Sequence, residues 1–395
     1  MAILQYVDDA VLLARSPEEL QHMINVIAQY CSENRLTLNP KEGKTEIVEF
    51  LCAPSGKQYT VAAPTKEDEK STATIHVKKG YQYLGWWLDS QLRLDEHTDK
   101  IARLLTGAAA RVVNMGGRPG GLPVRTTFQL WSSLALSHMH GSAALLSTMQ
   151  VDKLQRKMNR AVKQLAGWRA EPAAILAELG IPNARTIRRI RLANLLVRLK
   201  TLPTHITPAA LHGFLAARPT LQTTFEAEMR IITQELHLME IWQEIQAPAQ
   251  SLARPQGEEN DPITQLRTHW GKKIKKQAWE THRTELTSGK TPYNTGKIKR
   301  YVDMTRRDLQ RTHLSQCAVY LTQNLTANQE AALLQLRTGC SLLAVDRIEE
   351  QNVMEPDSRC DACNLRNPAL QDEIVEDVQH ALLACCKRPH ADARK

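Results

Sequence analysis

Residues 2–14 hold two adjacent carboxylates between two short apolar runs, an unusual pattern. Ala2 to Val7 precede Asp8-Asp9, and Ala10 to Leu13 follow, which predicts two strands joined by a tight turn. The strands bury their side chains while the turn keeps both acids at the sheet edge. Aspartate favours turns, so a plain solvated hairpin accounts for the tetrapeptide taken alone. The competing reading is a metal site, because paired carboxylates supply the hard oxygens that Mg2+ takes alongside substrate phosphates.

The segment after the hairpin is well punctuated. Ser16 can cap a helix, Pro17 suits its first position, and Glu19 completes a capping box. Leu20, Met23, Ile24, Ile27, Ala28 and Cys31 follow at helical spacing, and the helix should end near Asn34. Residues 45–50 read as a strand. Residues 53–73, lysine-rich with Pro54, Gly56 and Pro64, read as an exposed insertion. Residues 74–78 and 81–88 read as a strand pair turned at Lys79-Gly80. From about residue 95 the pattern is helical, with a glycine loop at Gly116–Gly121.

Three motifs fall in order along this first part: Tyr6-Val7-Asp8-Asp9, then Leu38-Asn39 with Lys44-Thr45, then Tyr83-Leu84-Gly85. Together they resemble the palm of non-LTR (LINE-type) retrotransposon reverse transcriptases. The resemblance implies an RNA-directed DNA polymerase with an RNA template and a DNA primer or target as partners. It implies that Asp8 and Asp9 bind catalytic Mg2+, that Lys44 acts near the departing pyrophosphate, and that Tyr83, Leu84 and Gly85 form a hairpin gripping the primer strand. Four residues separate Asn39 from Lys44, so Lys41 rivals Lys44 for that role. The family's fingers and a further palm aspartate precede the aspartate turn, whereas only seven residues precede Asp8 in this sequence. The resemblance therefore implies a C-terminal portion whose partner is the missing N-terminal polymerase half, in an intracellular protein, nuclear in a eukaryotic host.

The implied architecture is α+β. A partial palm (1–92) leads into a helical thumb and connection (93–245), a possible linker (246–262), a basic helical region (263–350) and a small zinc module (351–395). At 395 residues, two or three domains are expected. No apolar run reaches bilayer length, since Ser132, Ser133, His138 and His140 interrupt residues 130–147, so no membrane partner is expected. His138 and His140, beside Trp131, read as packing residues.

Lys and Arg total 51 against 42 Asp and Glu, a net charge of +9 that favours a polyanionic partner. Three clusters concentrate it. Lys153, Arg156, Lys157, Arg160 and Lys163 recur at three- and four-residue steps. Arg185, Arg188, Arg189, Arg191, Arg198 and Lys200 share a stretch without any acid. Lys272, Lys273, Lys275 and Lys276 lie between Trp270 and Trp279. Solvated faces of core helices look the same, but cations so placed can neutralise phosphates, and flanking aromatics can stack on bases.

Near the C-terminus Cys360, Cys363, His380 and Cys385 fall in a C-x2-C-x16-H-x4-C pattern. Three thiolates and an imidazole suit structural Zn2+. Cys386 or His390 could replace Cys385. LINE-type proteins end in a similar segment, and Leu336-Arg337-Thr338-Gly339 resembles the lead-in to it. Cys31, Cys52, Cys317 and Cys340 read as small buried hydrophobes. Two rival readings share these residues: a non-catalytic nucleic-acid-binding zinc protein derived from a transposon, and an intron maturase.

Two outcomes are expected. The isolated chain should fail to extend a primer on an RNA template, and any templated extension would refute the inactive-portion reading. The purified protein should carry one equivalent of zinc, lost in Cys360→Ser; a zinc content unaffected by that change would refute the module.

Overall fold

A computed structural model of the chain describes residues 2–6, 9–36, 38–41, 43–52, 55–62, 72–167, 170–201, 219–239, 262–288, 297–299, 301–303, 305, 317–323 and 325–338. The chain is α+β and divides into two compact units, residues 1–100 and 101–395.

In the first unit, β1 (Ala2–Tyr6) and β2 (Asp9–Leu13) pair antiparallel, with Tyr6 opposite Asp9 at the end of the ladder. Helix α1 (Pro17–Glu33) starts where the capping residues predict. Ser16 is extended, its hydroxyl accepts from the Glu19 N–H, and Pro17 occupies the first turn. The Glu19 carboxylate reaches past the cap to the Arg15 N–H at 2.7 Å instead of closing the box on Ser16. Leu20, Ile24 and Ala28, one helical turn apart, face a core completed by Ile47, Tyr59, Val61 and Ile75.

That core overturns two strand expectations. Residues 53–73 are not wholly an exposed insertion, because β4 (Tyr59–Ala62) forms within them and buries Tyr59 and Val61. It pairs antiparallel with β5 (Thr72–Lys78), which pairs parallel with β3 (Glu46–Val48). From α1, the side chain of Gln21 satisfies the backbone of β4. Its amide donates to the Thr60 carbonyl at 2.7 Å and accepts from the Thr60 N–H at 3.1 Å. The second change concerns residues 81–88. They form a hairpin of β6 (Gly80–Tyr83) and β7 (Trp86–Asp89), turned at Leu84-Gly85 and not at Lys79-Gly80. Leu84 (φ 47°) and Gly85 (φ 84°) both take left-handed backbone, as a two-residue hairpin turn that follows the strand twist requires.

The second unit is helical. Helix α2 (Asp95–Asn114) closes on a glycine cap. Gly116 has φ 94°, and the Gly117 N–H returns to the Val112 carbonyl at 2.8 Å. A Cβ on Gly117 would stand 2.5 Å from the Val112 side chain, so the loop needs glycine there. The apolar stretch 130–147 breaks into α3 (Val124–Trp131), a π-helical turn (Ser132–Leu136), α4 (Ser137–Ser142) and a 3-10 turn (Ala143–Leu145). Trp131 is fully buried and donates to the Leu105 carbonyl at 3.0 Å. His138 is exposed, against expectation, while His140 is half-buried, and burial and then Arg191 lower its pKa. Among the described residues no helix is long and apolar enough to cross a membrane.

Helices α5 (Thr148–Ala166), α6 (Pro172–Glu178), α7 (Ala184–Thr201), α8 (Pro219–Glu235), α9 (Pro262–Thr287) and α10 (Ala327–Arg337) complete the unit. Leu192, Leu196 and Val197 of α7 pack with Met229 and Ile232 of α8 and Trp270, Ile274 and Ala278 of α9. Helix α10 is tied at both ends. Glu330 accepts from the Val124 N–H at 2.7 Å, capping α3, whose own cap is Pro123. Arg337 grips the Glu178 carboxylate through two bonds of 2.9 and 3.0 Å, and Glu178 is only 3% exposed. The expected linker at 246–262 lies outside the described residues up to Pro262, where α9 begins.

Asn183 caps α7 by accepting from the Thr186 N–H at 2.7 Å, and its amide meets the ring nitrogen Nδ1 of His282 on α9 at 3.0 Å. With Asn183 as donor, the imidazole must be neutral. Burial pushes its pKa down to about 4. The folded pKa is below the unfolded value of about 6.5, so the unfolded chain takes up this proton first. The stabilisation is complete above pH ~6.5 and is lost as pH falls towards ~4, amounting to about 3 kcal/mol. Denaturation midpoints should drop over that window, and the drop should shrink in His282→Gln. An equal drop in the variant would refute this assignment.

Candidate nucleic-acid interface

Of the aspartate pair, Asp9 is described by its backbone, as the first residue of β2 and the partner of Tyr6. Asp8 lies outside the described residues. Lys44 sits exposed in the turn before β3. Its N–H bonds to the Lys41 carbonyl at 3.0 Å, and its carbonyl accepts from the Tyr81 hydroxyl of β6 at 3.2 Å. That turn presents Lys41 and Lys44 alike to solvent, so the two remain rivals.

Tyr83, Leu84 and Gly85 lie at the tip of the β6–β7 hairpin, with Leu84 46% exposed. The turn half of the hairpin, Gln82–Trp87 and Tyr83–Trp86, is clamped by the first turns of α2. Trp86 stacks on His97 at 4.9 Å and 11°, the Trp87 N–H donates to His97 Nδ1 at 3.3 Å, and Lys100 bonds to Gln82. The pairs beside the turn are held against α2, and Leu84 at the turn itself stays exposed.

The three basic clusters fare differently. On α5, Val151, Leu154, Met158, Ala161, Val162 and Leu165 are buried, which turns Arg156, Arg160 and Lys163 to solvent. Lys153 and Lys157 flank that row, half-buried. Among the described residues Arg156, Lys157, Arg160 and Lys163 form no ion pair. Asp152, the one acid on this helix, is engaged by Arg185 at 3.0 Å.

On α7 the arginines divide. Arg191 and Arg198 are exposed, and Arg185 is half-open beside Asp152. Arg188 bonds to the Leu146 carbonyl at 2.9 Å and pairs with Glu228 at 2.7 Å. Arg189 is an interior residue, 8% exposed, held by Glu235 at 2.8 Å and by Glu285 at 2.6 and 3.0 Å. Burial lowers its pKa, but the two carboxylates more than offset that and raise it overall. Its guanidinium is fully engaged, so the expectation that it meets phosphate is corrected. Lys200 is placed by its backbone alone.

On α9, Lys272, Lys275 and Lys276 are exposed, and Lys273 lies 4.8 Å over the Trp270 ring. Trp270 and Trp279 are 1% and 3% exposed and belong to the core, so neither can stack on a base. They occupy the inward face of the helix whose outward face carries the lysines.

The expected zinc ligands Cys360, Cys363, His380 and Cys385 lie outside the described residues, as does Cys340. Among the described residues no group of three or more His, Cys, Asp or Glu is placed to hold a metal. The remaining cysteines are less enclosed than expected: Cys52 is exposed, and Cys31 and Cys317 are half-buried. The sequence reading also passed over Arg125, Gln129 and Ser132, which share one face of α3 and the π-helical turn beside a cleft. Their i, i+4, i+7 spacing was the available signal. No protein-family model matches this sequence, and no curated protein or solved structure matches it either.

Proposed function

We propose that this chain binds a nucleic-acid strand along the outer face of α5, as part of a reverse transcriptase of the LINE type. The observation that carries the binding is the row of Arg156, Arg160 and Lys163, solvent-facing and without ion pairs among the described residues. Lys153 to Lys163 spans about 15 Å at 1.5 Å per residue, roughly four base steps of a duplex strand. Such a row neutralises phosphates and releases counterions without reading sequence. Arg191, Arg198, Lys272, Lys275 and Lys276 add exposed positive charge on α7 and α9.

The polymerase part of the reading rests on the resemblance, and three placements support it. The β1–β2 ladder ends at Tyr6 and Asp9, Lys44 lies in a turn bonded to β6, and Tyr83-Leu84-Gly85 forms a hairpin tip. Two carboxylates adjacent in sequence offer hard oxygens, the donor set Mg2+ takes. Asp8 and Asp9 would hold it, and a bound ion would stabilise the charge of nucleotidyl transfer. The chain's own part is to fix that turn beside the strand it copies. Cys360, Cys363, His380 and Cys385 would hold Zn2+ as a structural ion.

The test is oligonucleotide affinity measured across a salt series. Four contacts from Arg156, Lys157, Arg160 and Lys163 predict a log–log slope of about −3 for single strands and about −3.6 for duplex. Arg156→Glu with Arg160→Glu should weaken binding and flatten the slope by about 2. An unchanged slope in that variant would overturn the α5 assignment. Arg189 is unsuited to such a test, since removing it unpairs Glu235 and Glu285.

A further inference from the structure

A cleft of about 520 Å3 in the second unit is lined by Arg125, Gln129 and Ser132, with Phe128 and Ser133 from the same stretch, and by Leu179, Ile181 and Cys317. That volume falls in the range of small-ligand sites, roughly 300–1,000 Å3. The polar wall is one helical face, and the helix changes there from α to π at Ser132, a local irregularity frequent at functional sites. Among the described residues, Arg125, Gln129 and Ser132 make no side-chain hydrogen bond or ion pair. The neighbouring Ser133 hydroxyl, by contrast, is engaged by the Gln129 carbonyl at 2.9 Å. Leu179 and Ile181 make an apolar part of the lining, and the Ala318 N–H, next to Cys317, donates to the Glu178 carbonyl at 2.6 Å. The cleft therefore offers a guanidinium, an amide with both donor and acceptor, a hydroxyl and a hydrocarbon surface within one cavity.

We propose that this cleft takes one unstacked nucleotide of a bound single strand. Arg125 receives its phosphate, Gln129 and Ser132 its base edge or sugar, and Leu179 and Ile181 the face of its base. Guanidinium–phosphate pairing supplies charge-assisted bonds, and splayed bases of single strands are what proteins read by edge and face. The inference rests on the nucleic-acid reading above but uses different residues, so the two can fail separately.

Cys317 supplies the probe. In the full chain, its alkylation rate is followed by peptide mass spectrometry with adenosine 5′-monophosphate, adenosine or inorganic phosphate present. At ten times its dissociation constant, the monophosphate should slow Cys317 alkylation about tenfold, matching the unoccupied fraction. Adenosine and inorganic phosphate at the same concentration should leave the rate near its free value. Arg125→Glu, a change at an exposed position, should abolish protection, and Gln129→Ala should weaken it. The Arg156→Glu/Arg160→Glu protein should retain it. An unchanged Cys317 rate with the monophosphate overturns the proposal, as does equal protection by adenosine or phosphate, or protection that survives Arg125→Glu. No protection by the monophosphate in the unaltered chain, together with an intact α5 salt slope, would sink this site and leave the binding face standing.

Discussion

Arg189 lies where α7, α8 and α9 meet, and its guanidinium reaches Glu235 at the end of α8 and Glu285 on α9. A cation taken out of water costs several kcal/mol unless carboxylates of good geometry compensate it. Those carboxylates arrive only when all three helices are in register. Beside it, Leu192, Leu196, Met229, Ile232, Trp270 and Ile274 make the hydrophobic contact, which supplies area but little directional preference. The arginine therefore selects one arrangement among those the apolar surfaces allow. Asn183 and His282 reinforce the same junction between the start of α7 and α9.

The candidate binding face inherits that arrangement. Helix α7 holds α5 through the Ala184 N–H on Gln155 at 2.8 Å and through Arg185 on Asp152. With α5 fixed by its buried row, Arg156, Arg160 and Lys163 have no direction left but outward. Helix α10 is anchored to the same unit by Glu330 and Arg337, so the Leu336-Arg337-Thr338 segment has a packing role whatever follows it. In the first unit, the comparable constraint is the polar clamp of Gln21 on Thr60, with His97 and Lys100 steadying the hairpin whose tip is Leu84-Gly85.

Much of this was legible in short-range pattern. The Ser16 cap, the Pro17 start and the end of α1 near Asn34 depend on neighbouring residues, and they appear where the sequence puts them. The two strands of the first hairpin and the Gly116–Gly121 loop are equally local, although β2 already begins at Asp9, which pairs with Tyr6. Strand pairing was not. Lys79-Gly80 looks like a turn, yet the left-handed pair needed for a tight hairpin is made at Leu84-Gly85, and a leucine there gives little warning. Residues 59–62 were lost in a lysine-rich stretch, because Tyr59 and Val61 become core only when β5 and α1 cover them.

The basic clusters mark the same boundary. The sequence by itself put the cations of α5 on one face, since helical geometry places residues three and four apart side by side and the apolar row dictates which face turns inward. It also located the tryptophans of α9 beside its lysines. Only the tertiary structure decided that Trp270 and Trp279 are interior and that Arg189, unlike Arg191 two positions on, is an inside residue. The reason is that burial of a charge or a ring is settled by what packs on it. Glu235 and Glu285 come from helices whose approach to α7 no local pattern records.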